Sequence, residues 1–120
     1  MFVVYGRDKK ARSELSHFLG SLQIKVLEWN KAETLTGKPN PYIGEVIDTG
    51  FRHAQAIVVL FTPDDEAKLR DKFISRGEQA FERKLTGQPR QNVIFEAGMA
   101  LSKYPANTVL VKVGQSKADE

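Results

Sequence analysis

Cysteine is absent from the 120 residues, which excludes disulfides, thiolate nucleophiles and Cys-ligated metals and is compatible with a reducing compartment. Long apolar runs are missing too. Nothing approaches the ~20 residues that a bilayer-spanning helix needs. The start Met1-Phe2-Val3-Val4-Tyr5 lacks the basic segment that precedes the apolar core of a signal peptide. No membrane role is therefore expected, and the cytoplasm is the default location. Charge of neither sign dominates: 18 basic against 15 acidic residues give a net +3. There is no Lys/Arg stripe of the kind that tracks a duplex, so nucleic acid is not an expected partner. Histidine is limited to His17 and His53, neither with a nearby Ser or Cys set up as a nucleophile. Neither the Gly-x-Gly-x-x-Gly dinucleotide fingerprint nor a Walker loop occurs.

What is present suits one folded domain, with 41% hydrophobic residues in a chain long enough for a single core. The expected boundaries are a domain over 1–114 and a polar tail over 115–120. Phe2 to Tyr5 is a short β-favouring run closed by Gly6, which predicts a buried strand. From Asp8, a good N-cap, Ala11, Leu15, Phe18, Leu19 and Leu22 recur at helical spacing and predict an amphipathic helix. Ile24 to Trp29 alternates as a strand nearer the sheet edge, and Asn30 to Pro41 reads as a long loop. A second helix is expected from about Tyr42, with Ile43, Val46, Ile47, Phe51 and Ala54 on one face. Ala56 to Phe61 has the continuous β-branched character of a central parallel strand. Thr62-Pro63-Asp64-Asp65 looks like a helix start. Glu66 to Gln91 is a charged excursion with one or two short helices, Asn92 to Lys103 a helix, and Thr108 to Val113 a fourth strand. Strands alternating with helices imply an α/β fold with an open parallel sheet covered on both faces.

Ligands in such a sheet bind at the carboxyl ends of its strands. Three segments converge there: the turn Gly6-Arg7-Asp8, the turn Thr62-Pro63-Asp64, and the start of the helix Asn92-Val93-Ile94-Phe95-Glu96-Ala97-Gly98. Glu96 is one carboxylate in an otherwise apolar segment, and a charged side chain there is either a helix-start acid stabilised by the dipole or a functional acid. Gly6-Arg7-Asp8 combines a flexible residue, a cation and a helix N-terminus, which suits a phosphate or ribose but equally suits a tight turn capped by Asp8. Trp29, the only tryptophan, offers a face for a base or nicotinamide ring, though core packing explains it as well. Asp64, Asp65 and Glu66 need no metal to account for them, and no metal site is expected.

Taken in order, Phe2-Val3-Val4-Tyr5-Gly6-Arg7-Asp8, Glu28-Trp29, Leu35-Thr36-Gly37, Pro41-Tyr42-Ile43-Gly44-Glu45-Val46, Val59-Leu60-Phe61-Thr62-Pro63-Asp64-Asp65 and the Glu96 segment resemble one family across almost the whole chain. The chain resembles bacterial TIR-like domains, and more narrowly the TIR effector domains of cyclic-nucleotide-triggered antiphage systems of the Pycsar type. The resemblance implies a flavodoxin-like sheet, four strands in order 2-1-3-4, with family members usually continuing into a further helix and strand. It implies cleavage of NAD+ as substrate, without a further cofactor, releasing nicotinamide with ADP-ribose or its cyclic form and depleting the infected cell. It places the catalytic glutamate at Glu96, with Gly6, Arg7, Asp8, Trp29, Asp64 and Asn92 as candidate substrate-binding residues. It also implies self-association through the Asn30 to Pro41 loop, and an upstream cyclic nucleotide such as cUMP or cCMP, sensed by a segment not identifiable in this chain.

One carboxylate is chemically sufficient for that reaction. Ordinary glycosidases need two because an alkoxide leaves poorly unless protonated, whereas the nicotinamide of NAD+ is already a cationic pyridinium and departs neutral. A single carboxylate then stabilises the positive charge developing at the anomeric carbon. For that role Glu96 should be ionised, and a place at a helix start would favour the charged form. Two other readings stand beside it: a nucleoside deoxyribosyltransferase-like enzyme, and a TIR module that assembles or signals without catalysis. A receiver-like regulator fits less well, because Asp8 stands alone where a phospho-acceptor site uses paired acids.

Overall fold

The computed structural model describes residues 1–74 and 85–114. Four parallel strands form the main sheet: β1 (Phe2–Val4), β2 (Leu27–Glu28), β3 (Ile57–Phe61) and β6 (Thr108–Lys112), in the order β2-β1-β3-β6. The register pairs Phe2 with Ile57 and Val4 with Val59, and Ile57 with Thr108, so β3 is flanked on both sides. Four helices connect the strands: α1 (Lys9–Ser21), α2 (Trp29–Leu35), α3 (Ile43–Ala54) and α4 (Gln91–Lys103). This is the α/β fold and strand order expected from the sequence.

Period-2 alternation divides the core in two. Phe2, Val4, Ile57 and Val59 point to one face and are buried with Ala32 of α2, Val46 and Ile47 of α3, and Val93, Ala97 and Ala100 of α4. Val3 and Val58 point to the other face, against Leu15 and Leu19 of α1 and Val111 of β6. Both faces being covered explains why β1 and β3 read as unbroken apolar runs. The α3 face is as expected, with Ile43, Phe51 and Ala54 packed around the buried pair. On α1 only the i, i+4, i+8 row Ala11, Leu15 and Leu19 turns inward. Phe18 and Leu22, expected in the core, lie one step round the helix and are 59% and 54% exposed.

The structure corrects the sequence reading in three places. The second strand is cut to Leu27–Glu28, and Trp29 opens α2 rather than ending a strand. Ile24 and Val26 pack on the α1 side while Trp29 stacks on Phe2 on the other, so the chain changes layer between them. The Asn30 to Pro41 segment is therefore a short helix followed by a turn. Gly37 supplies its left-handed residue at φ +73°, and Lys38 pairs with Glu45 at the start of α3. Thirdly, Thr62-Pro63-Asp64-Asp65 starts no helix. It leads into β4 (Asp65–Ala67), which pairs antiparallel with β5 (Thr86–Gln88), and a 3-10 turn over Asp71–Phe73 lies between them. Thr62 gives its hydroxyl to Asp64 instead of capping a helix. The rest of the expected excursion, and the tail over 115–120, fall outside the described residues.

Candidate active site

The carboxyl ends of β1 and β2 and the first turns of α4 enclose a cavity of about 390 Å3. Its first wall is the turn after β1. Asp8 caps α1, its Oδ1 accepting from the Ala11 N–H at 2.9 Å. One turn on, Arg12 donates through Nη1 to the Tyr5 hydroxyl at 2.9 Å and holds its guanidinium 4.7 Å from the Tyr5 ring centre. Gly6 and Arg7 join these two, and Arg7 and Lys9 also line the space.

Behind that turn lies Asp64. Its Oδ2 accepts from the Arg7 N–H at 2.7 Å and its Oδ1 from the Thr62 hydroxyl at 2.7 Å. A Cβ on Gly6 would collide with Oδ2, so this position has to be glycine for the carboxylate to reach the Arg7 amide. Asp64, expected among the substrate-binding residues, is not brought to the cavity wall; it braces that wall from behind.

The second wall is the start of α2. Trp29 stacks on Phe2, ring centres 5.8 Å apart and planes at 22°, and presents the remainder of its indole to the cavity beside Asn30. Packing and lining are therefore both true of this residue, where the sequence left them as alternatives.

The third wall is α4. Arg90 occupies its N-cap position, and Asn92, Val93 and Glu96 face the cavity, the i, i+4 spacing of Asn92 and Glu96 placing them one above the other. Val93, Ala97 and Ala100 anchor this face of α4 in the core, which carries Glu96 inward to 9% exposure. Among the described residues no donor reaches its carboxyl group. Burial raises its pKa from 4.5 to about 7. This corrects the expectation that the helix start would favour the ionised form. Glu96 is the sixth residue of α4, beyond the first turn to which the dipole effect is confined, so desolvation prevails.

The electrostatics of the cavity are lopsided. Arg7, Lys9, Arg12 and Arg90 face it against the carboxyl groups of Asp8 and Glu96, and Asp8 is occupied as a cap. Among the described residues Arg7, Lys9 and Arg90 form no ion pair. An excess of cations around one poorly solvated carboxyl group gives the cavity a positive character suited to a polyanion.

The chain matches the family described as CAP12/Pycsar effector protein, TIR domain, over residues 1–119. It belongs to that family. No curated protein and no solved structure gives a significant match. The parallel sheet and its strand order are thus those of a Pycsar-type TIR domain, and its role is that of an antiphage effector.

In this TIR domain the structure gathers Glu96, Gly6, Arg7, Asp8, Trp29 and Asn92 around one cavity. Asn30, the first residue of the segment after Trp29, joins them, while sequence reasoning missed Lys9, Arg12 and above all Arg90. The signal for Arg90 was available: it is a cation directly before the helix that carries Glu96, at the sheet edge where ligands bind. The histidines lie elsewhere, His17 exposed on α1 and His53 joined through Nδ1 to the Thr49 carbonyl at 2.9 Å. Among the described residues no three His, Cys, Asp or Glu side chains cluster to hold a metal, and no helix is long and apolar enough to cross a membrane.

Proposed function

We propose that this TIR domain cleaves the N-glycosidic bond of NAD+, with Glu96 as the catalytic carboxylate, and so acts as an NAD+-depleting antiphage effector. The observation that carries the reading is Glu96 itself: one buried carboxyl group, without a hydrogen-bond partner among the described residues, lining a cavity together with four basic side chains. The four basic side chains suit the diphosphate of a dinucleotide, and Asn92, with the Asp8 oxygen not used in the cap, suits its polar edges. Trp29 supplies a flat wall for an aromatic ring.

In this mechanism the pyridinium charge favours ionisation of Glu96 on binding, since opposite charges at close range stabilise each other in a weakly solvated site. As the bond to nicotinamide lengthens, positive charge passes from the ring to the anomeric carbon, and the carboxylate stabilises it there. Nicotinamide leaves as a neutral pyridine, its ring nitrogen keeping the bonding pair. Water then adds to the anomeric carbon to give ADP-ribose, or an adenine nitrogen of the same molecule closes the ring. In the hydrolytic branch Glu96, with a pKa of about 7, is well matched to take the proton that water loses.

Regulation by self-association and by an upstream cyclic nucleotide, cUMP or cCMP among the candidates, belongs to the same reading and is supported by the family. The surface proposed for assembly is the α2 region and the following turn, Asn30 to Pro41. A substrate panel tests the function: NAD+ alongside deoxynucleosides, at high protein concentration and with or without cyclic nucleotides, with release of nicotinamide or free base quantified. Nicotinamide from NAD+ alone is the expected result. Base release from deoxynucleosides would assign the site to deoxyribosyl transfer instead.

A further inference from the structure

We propose that Asp64 is a positioning residue, holding the Gly6-Arg7-Asp8 turn in its substrate-binding shape without touching the substrate. The inference rests on the NAD+ reading for its kinetic readout but on geometry alone for the clamp.

Both oxygens of Asp64 are already used. Oδ1 accepts from Thr62, a buried side chain, and Oδ2 from the Arg7 backbone, each at 2.7 Å. The Asp64 N–H returns to the Thr62 carbonyl at 2.8 Å, closing a tight turn that fixes the carboxylate's direction. The bond to Arg7 spans 57 residues of sequence. It lies beyond Val4↔Val59, the last rung of the ladder between β1 and β3, so it extends the sheet's cross-linking into the loops that border the cavity. Gly6 is shaped to this contact, because any side chain there would displace the carboxylate. The Arg7 amide precedes the capped helix and takes no part in its hydrogen bonding; Tyr5 is held through its side chain by Arg12, and it is Asp64 that ties down the backbone between Tyr5 and the Asp8 cap.

Arg7 and Asp8 line the cavity on one side, whereas Glu96 comes from α4. Loosening the turn should therefore weaken substrate binding and spare the chemistry. Asparagine reproduces the clamp: its carbonyl oxygen accepts from the Arg7 amide, and its NH2 donates to Thr62, whose hydroxyl can accept instead. A carboxylate that bound the substrate through its charge would find no such substitute.

The test combines steady-state NAD+ cleavage with amide hydrogen exchange at Arg7, on wild type, Asp64→Ala, Asp64→Asn and Thr62→Val. Asp64→Ala is expected to raise KM about 5- to 20-fold, spanning the upper end of the range for a neutral hydrogen bond and the lower end of that for one to a charged group, with kcat within about threefold of wild type. Arg7 exchange should quicken by a similar factor, Asp64→Asn should restore both, and Thr62→Val should fall between. If Asp64→Ala does not fold, Thr62→Val carries the test, since it removes only the Oδ1 anchor. Three results would overturn the proposal: Asp64→Asn as impaired in KM as Asp64→Ala, a fall in kcat at unchanged KM, or Arg7 exchange unaltered in both Asp64→Ala and Thr62→Val. A wild type that leaves NAD+ intact would defeat the NAD+ reading while the exchange data still decided the clamp.

Discussion

Replacing Glu96 with glutamine removes a buried charge while keeping the side chain's size, and it should make the protein more stable as it makes it inactive. The folded state holds the Glu96 proton more tightly than the unfolded chain does, with a pKa of about 7 against the ordinary 4.5. Stability is therefore lost as the pH rises from about 4.5 to 7, where the folded protein must give up that proton and bury a carboxylate. In a fully dry site the interval would correspond to about 3 kcal/mol. Glu96 opens on a cavity, and screening there brings the expected cost down to about 1–2 kcal/mol. Glu96→Gln should relieve it at pH 8, raising Tm by roughly 4–8 °C in a domain of this size, and the gain should shrink to a degree or two at pH 5. Thermal unfolding followed by far-UV circular dichroism at the two pH values measures this directly. A variant no more stable than wild type at pH 8, or one stabilised equally at both, would refute the burial argument.

Four further outcomes follow from the same geometry. In wild type, kcat/KM for NAD+ should rise with pH through about 7 as free Glu96 ionises, and the midpoint in kcat should lie lower because bound pyridinium favours the carboxylate. Arg90→Ala should raise KM for NAD+ by about tenfold, an effect that weakens in high salt, with little change in kcat. Gly6→Ala should impair binding by driving Asp64 away from the Arg7 amide, read as a rise in KM. Gly50→Ala acts on the core instead: its Cβ would overlap the Phe2 ring, costing about 1–3 kcal/mol in chemical denaturation.

The parts of this molecule legible in the sequence are those governed by short-range pattern. The apolar runs of β1 and β3, the i, i+4 face of α3 and the cap at Asp8 follow from local periodicity and hydrogen bonding. Glu96 stood out because a charge among apolar neighbours has few explanations. What failed depended on partners distant in sequence. Trp29 leaves strand geometry because Phe2, 27 positions away, offers a ring to stack on. Thr62 and Asp64 abandon a good helix-start pattern because the carboxylate is drawn to the Arg7 amide. The protonation of Glu96 was misjudged for the same reason: the dipole is visible in the sequence, whereas the packing of Val93, Ala97 and Ala100 that dries the site is a tertiary fact.

The central claim is that a single buried glutamate in a cationic cavity breaks the glycosidic bond of NAD+. The most direct measurement is nicotinamide released from NAD+ at pH 8, by chromatography, for wild type and Glu96→Gln at equal concentrations of folded protein. Steady release by wild type and a loss of at least 100-fold in the variant is the predicted result. Equal release by the two proteins, or none by wild type under any assembly condition, would contradict it.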